Sequence, residues 1–526
     1  MNNSLIKDNV SNISKWILIL LCVLSLFEMV FYPEIENIYG CGTFIIGWLF
    51  LHLFVMKYRN AQKCFLPFIS LFGLGICFYF MPLLMTLVEG KPLTFRFQNP
   101  YLTFNYQLLN LVMLILAFRL CLCIYRPNNV LTKLWDKIGY FTPPSDKQIW
   151  VMGFIGIFSQ VFLLTIMGTE DAEAENLGFL GHLLGVTKVF ACFPILLLFK
   201  KLYSNNTFTK TEKRPIIVYL IVLAALGLAT GKRTMIFSSF VTIAMCYIVP
   251  LFSENKKLFS RKSAIYCFIA IYLVTGPVAD LAAAMALGRD NQQGTGASKT
   301  FDNIIDIYQD KEKLHTLYNA VLLKTDNGGD NFLGWSEYYV DNIMMDRFCN
   351  LRVCDMTIWY ANKLGFDNPK MHEYMANQVL FLLPTPILQS LGVHINKFEL
   401  QYTPGDLISM ESLGLRYYRG YRVAGDVGTG LYLWGEMYFV YAFFIYFAMF
   451  LFLSSLVKTN FSNTMLLFPL PVLCDLFRYF LFFNNATGIV GVVSTLLRTG
   501  WQAIMVYCIV FFVIKRFVKK CNAKSL

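Results

Sequence analysis

Apolar residues run through this chain in long unbroken stretches, with neither the three-and-four spacing of a surface helix nor the alternation of a half-buried strand. Such stretches cover residues 16–32, 40–56, 65–88, 101–125, 149–168, 178–199, 215–231, 234–252, 263–285, 431–457, 464–483 and 498–514. About 20 apolar residues suffice for a helix to cross a ~30 Å hydrocarbon core. Only helices and closed barrels satisfy their own backbone polar groups there. The pattern therefore predicts an all-α polytopic membrane protein with about 12 transmembrane helices. The first stretch follows Lys7 and Lys15 without a small-x-small cleavage site, so it reads as a retained span.

One hydrophilic stretch, 286–430, interrupts the series. It divides the chain into a membrane bundle of helices 1–9 (residues 1–285), an extracytoplasmic lobe (286–430) and a bundle of helices 10–12 with a basic tail (431–526). The lobe holds 13 Lys and Arg, 17 Asp and Glu, and three of the five histidines. Basic residues mark every second loop: Lys57, Arg59 and Lys63, then Arg126 and Lys133, Lys200 and Lys201, Lys256 and Lys257, and the tail from Lys515. The positive-inside rule puts those loops and both termini in the cytoplasm and the lobe outside.

Composition agrees with the pattern: 56% of the 526 residues are hydrophobic and only 15% charged. Soluble domains carry nearer a quarter charged. The net charge of +12 is spread over span ends, which is an orientation signal, so no nucleic-acid partner is expected. Most of the fourteen cysteines fall within spans as small hydrophobes. Cys349 and Cys354, in the lobe, are either a disulfide or two buried thiols.

The hairpin Gly231-Lys232-Arg233-Thr234 breaks the orientation rule by carrying two adjacent cations on the outer side. Either they snorkel to lipid headgroups or they hold an anion. Within spans, Asp475 and Arg478 stand i, i+3 and read as a structural pair that neutralises itself. Val379–Leu391 is apolar but too short and proline-broken to span, which suits a helix lying at the outer membrane surface. Tyr338, Tyr339, Trp359 and Tyr360 are either lobe core or a platform for sugar rings. No phosphate-binding loop, His-Glu-x-x-His, EF-hand or Gly-x-Ser-x-Gly motif occurs.

What gathers at the outer face is cationic: Lys232, Arg233, Arg289, Arg416, Arg419 and Arg422. Arginine forks match phosphate oxygens bidentately. A lipid-linked sugar diphosphate needs such a cradle, because cations stabilise the charge developing on a leaving diphosphate. A base must then take the acceptor hydroxyl's proton; the candidates are Asp290, His394, Asp426 and Glu436.

Many short-looped spans, a Gly-Lys-Arg-Thr hairpin, one outer lobe and a few terminal spans resemble the Wzy-type O-antigen polymerases, oligosaccharide repeat-unit polymerases with a GT-C-like fold. The hairpin resembles their Gly-Ser-Arg-Gly turn, with Lys232 for Ser and Thr234 for the second Gly. Phe381–Ile387 resembles the family's apolar-proline stretch, residues 424–436 its re-entry into the membrane, and Arg419 with Gly430 an Arg-x10-Gly pattern. The resemblance implies polymerisation of undecaprenyl-diphosphate-linked repeat units at the outer face of a bacterial inner membrane. It implies neither metal nor nucleotide cofactor, membrane lipid as surroundings, and a chain-length regulator as partner. Arg233 and Arg289 would hold one lipid diphosphate, and Arg416, Arg419 or Arg422 the other. An O-antigen ligase, for which His315, His372 and His394 are available, and a lipid-linked oligosaccharide flippase remain as alternatives.

Overall fold

A computed structural model describes residues 8–167, 179–204, 213–229, 233–255, 272, 275–290, 297–314, 316–317, 337–381, 383, 385–390, 392, 402–413, 422–459, 465–483 and 488–523. The chain is helical throughout, apart from one antiparallel pair of two-residue strands, Lys458–Thr459 with Leu466–Leu467, among the described residues. The helices used below are α1 (Asn9–Phe31), α2 (Ile35–Phe54), α3 (Phe65–Val88), α4 (Pro100–Ile124), α5 (Asp146–Met167), α6 (Leu183–Leu202), α7 (Lys213–Ala229), α8 (Arg233–Ser253) and α9 (Pro277–Asp290). They continue with α10 (Ala297–Gln309), α11 (Leu351–Leu364), α12 (Pro369–Phe381), α13 (Pro404–Leu413), α14 (Asp426–Trp434), α15 (Tyr438–Ser455), α16 (Leu470–Cys474), α17 (Leu476–Phe480) and α18 (Gly488–Phe517).

Eight helical segments among the described residues are long and apolar enough to cross a membrane: α1 to α4, α6, Ile236–Ser253 of α8, Asp426–Ser455 and α18. This is a polytopic membrane protein. Helices α5 and α7 stand where spans were expected but are not among those eight, and residues 263–271 lie outside the described residues. The stretch 464–483 is not one helix. Pro469 and Pro471 stand at the start of the five-residue α16, so residues before them do not join it, and Asp475 separates it from the five-residue α17. Proline lacks a donor and clashes with the preceding turn, which is why the apolar run cannot continue as a single span.

Local signals fix the other elements. Helix α4 starts where Asn99 caps the Leu102 amide at 3.2 Å and Pro100 takes the first helical position. Helix α3 opens into a π-helical turn at Ile76–Phe80, directly before Pro82. Helix α1 turns Trp16, Leu26, Val30 and Phe31 outward, an apolar face suited to lipid.

Polar contacts define the two ends of the bundle. At the basic end Asp8 accepts from the Tyr58 amide, the Tyr58 hydroxyl donates to the Ser253 carbonyl, and Lys458 pairs with Asp136 at 2.8 Å. At the opposite end Glu28 accepts from the Leu93 amide at 2.6 Å and Asn37 accepts from Thr94. The described part of 286–430 packs into that second end. Ten of the fourteen residues of α11 are buried, against α14, α4 and α13.

Asp426–Ser455 folds back on itself at Gly435, whose φ of +56° is a conformation that glycine adopts readily. Gly430 lies against the Tyr438 ring, and the Tyr446 hydroxyl donates to Asp426 at 2.6 Å. Helix α14 therefore climbs toward the turn and α15 descends beside it, so Asp426 starts its helix inside the bundle. The boundary expected at residue 430 falls within α14.

Candidate functional site

Helix α11 enters the bundle on a buried ionic knot. Asp355, 0% exposed, accepts from the amides of Gln98 (2.7 Å) and Asn99 (3.1 Å) and from the Thr103 hydroxyl (2.9 Å). Arg352 closes the knot at 3.3 Å and also donates to the Arg96 carbonyl. Burial lifts the Asp355 carboxyl above its ordinary range, while the two amides and Arg352 pull it down. Asp346, which accepts from the Tyr339 and Val340 amides, is pushed by burial up to about 6. The same knot brings Arg352 to one side of Tyr360 and Arg422 to bear on it too; burial raises that phenol and both cations lower it.

The expected site residues scatter across this frame. Lys232, Arg416, Arg419 and His394 lie outside the described residues, and Arg233, Arg289 and Asp290 are described only as helix ends. Arg422 is 8% exposed; its amide donates to Asp406 at 3.1 Å and its carbonyl accepts from Thr403 at 2.7 Å. Asp426 is 5% exposed, with one carboxylate oxygen under the Tyr446 hydroxyl and the other without a hydrogen bond. Glu436 is exposed beside Tyr106, 3.5 Å from its hydroxyl. His372 pairs with Asp367 at 2.7 Å on the outside of α12. Cys349 and Cys354 are free, buried thiols, and Tyr339 and Tyr360 are core. Apolar 379–391 is divided between the end of α12 and a short helix, Thr385–Ser390.

Two cavities meet where the sequence suggested only a structural pair. The larger, about 300 Å³, lies between α15, α17 and α18 and includes Met449, Phe452, Asp475, Arg478 and Ile504. The smaller, about 260 Å³, is roofed by Tyr374 and Gln378 of α12 and floored by Val490 and Ser494 of α18. Arg478, Thr495 and Thr499 line both. The two threonines bound a π-helical turn of α18, and their hydroxyls donate to carbonyls of their own helix.

Arg478 is exposed to this space and has no ion pair or side-chain hydrogen bond among the described residues. Asp475 sits at the joint between α16 and α17 and lines the same chamber, where the two opposite charges act on each other electrostatically without a close ion-pair contact. No family model, curated protein or solved structure matches this chain. The site must therefore be interpreted on its own chemistry. It offers a guanidinium fork, flanking hydroxyls, a larger chamber in which Asp475, Tyr140 and Tyr479 stand among apolar side chains, and a smaller one with Tyr374, Gln378 and Ser494. No cluster of three or more His, Cys, Asp or Glu side chains suited to a metal occurs among the described residues.

Proposed function

We infer that this chain is a membrane glycosyltransferase that polymerises oligosaccharide repeat units linked to undecaprenyl diphosphate, at the outer face of a bacterial inner membrane. The observation that supports this reading best is the ion-pair-free Arg478 at the meeting of two cavities, one of them roofed by a helix of the 286–430 segment. Guanidinium is the side chain suited to a diphosphate leaving group, which it binds bidentately and stabilises as charge develops. The growing glycan leaves its lipid diphosphate, a sugar hydroxyl of the incoming unit takes its place, and the hydroxyl proton passes to a base at the lobe end. Asp290, His394, Asp426 and Glu436 are the candidates for that base. Product and capsule class, O-antigen or exopolysaccharide, follow from the host's repeat unit.

Chambers on both sides of Arg478 also suit a carrier that moves a lipid-linked anion, which is the second reading. Electrophoresis of surface glycan from a deletion strain separates the two. A polymerase leaves single repeat units on the acceptor core, a ligase leaves polymer on the carrier lipid, and a carrier leaves unpolymerised units in the inner leaflet. Complementation with Arg478→Gln is expected to restore protein but not long chains. Long chains of wild-type abundance with Arg478→Gln would exclude a role for that guanidinium in the reaction. The same assay with Arg233→Ala tests the hairpin cation that the sequence favours.

A further inference from the structure

We propose that α6 is a two-register helix: Tyr219 holds it in a long 3-10 form, and its return to the α form would draw α16 along the bundle and reshape the larger chamber.

Helix α6 starts within an α-helix, Phe179–Thr187, and continues as a 3-10 helix over Lys188–Leu202, interrupted by non-helical backbone at Phe199. Runs of more than three or four 3-10 residues are uncommon, because their hydrogen bonds are poorer than those of an α-helix. Residues 188–198 form one unbroken run, so something must favour that register. Pro194 stands inside it and has no amide to donate. In the 3-10 register the missing bond orphans the Ala191 carbonyl, three residues back. In the α register it would orphan the Phe190 carbonyl instead, four residues back. The buried Tyr219 hydroxyl of α7 donates to the Ala191 carbonyl at 2.8 Å. It thus replaces the one bond that the 3-10 register has lost.

The neighbouring helix is shaped to the same form. Gly156 of α5 lies on the backbone of Phe190 and Ala191, and Gly153 on the Pro194 ring, so neither position has room for a Cβ. Where α gives way to 3-10, the Ser159 and Thr187 hydroxyls bond at 2.8 Å and Gln160 donates to the Lys188 carbonyl at 3.4 Å.

Helix α16 is fastened to α6 twice. The Phe468 amide, just ahead of α16, donates to the Leu202 carbonyl at 2.9 Å. Cys474, the last residue of α16, packs on the cluster of Cys192, Ile195 and Tyr219. A 3-10 helix rises about 2.0 Å per residue, an α-helix about 1.5 Å. The α form would shorten residues 188–198 by about 5 Å and turn one end against the other by roughly half a turn. Both fastenings cannot survive that change with α16 in place. Pro471 of α16 and Asp475 just after it wall the larger chamber, so the register of α6 and the shape of that chamber are coupled.

Pulsed electron paramagnetic resonance on the full chain in detergent tests this. Spin-label amino acids go in at Gly185, where a Cβ meets nothing within 4 Å, and at the exposed Lys201. Tyr219→Phe/Pro194→Ala removes the selecting hydroxyl and restores the amide, and the label distance is expected to fall by about 5 Å. Tyr219→Phe alone leaves either register one bond short and should broaden the distribution toward the shorter value. An unchanged distance in the double variant would overturn the two-register helix. A second label pair, at Val130 and Met465, follows the chain leading into α16 and is expected to change its distance when α6 shortens. A stationary second pair beside a shortened α6 would overturn the coupling to the chamber. If the double variant elutes as aggregate, Tyr219→Phe decides, and a single unbroadened wild-type peak overturns the proposal.

Discussion

Asp355 binds four partners at once, and its loss should be felt well beyond its own contacts. Asp355→Ala leaves Arg352 buried and uncompensated and orphans the Gln98 and Asn99 amides, an expected loss of about 3–5 kcal/mol. Thermal unfolding in detergent checks this, and the double variant Arg352→Met/Asp355→Ala should recover part of the loss. A destabilisation below about 1 kcal/mol would mean the knot contributes little. Asp346 ties stability to pH. Its carboxyl rises from an ordinary 3.8 to about 6 on folding, so the folded state holds the proton more tightly. Stability from this group is complete below about pH 4 and lost as pH rises through 6, roughly two units or about 3 kcal/mol. Asp346→Asn keeps an acceptor for Tyr339 and Val340, and its unfolding midpoint should gain on wild type between pH 4 and 7. Parallel curves would dismiss the effect. Charge alone made the outer arginines the legible candidates. Arg478 reads in the sequence as half of a structural pair with Asp475, because i, i+3 spacing implies a continuous helix, and the cavities that both residues line arise only from packing between distant elements.

Glycine sets how closely α11 and α14 approach. A Cβ on Gly428 would stand 2.5 Å from the Thr357 methyl, and the Thr357 hydroxyl already accepts from the Gly425 amide. Gly428→Ala should cost about 1–3 kcal/mol by overpacking, measured as a lowered unfolding midpoint. Adding Thr357→Ser, which keeps the hydroxyl and removes the methyl, should return part of it. The long apolar runs announced α1 to α4 and α18 correctly, because hydropathy reports burial in lipid and little else. It could not show that 426–455 is a hairpin. Only Gly435 and Glu436 mark the turn within the apolar run, and a positive φ leaves no further mark in composition. For the same reason the two π-helical turns, at 76–80 and 495–499, were invisible, although the second forms the wall of the candidate site.

At the scale of the molecule, a pair of chambers meets at Arg478 between the α12 and α18 helices. The 286–430 segment reads as hydrophilic in sequence, yet its described helices bury Asp355, Asp406 and Asp426 inside the bundle. Part of its polarity is thus spent on internal contacts, which no residue count can distinguish from solvation. That inward folding constrains how the protein is made. Helix α14 has nine residues, begins with a carboxylate, and is too short to enter the bilayer from the translocon by itself. It and α11 must reach the far side as polar chain and sink into place only after α15 and α18 exist to receive them. Nascent chains ending before Tyr438 should then leave residues 337–434 open to added protease, and chains extended beyond Phe517 should protect them. Assembly of the candidate site is thus a late event, governed by the last helices to emerge.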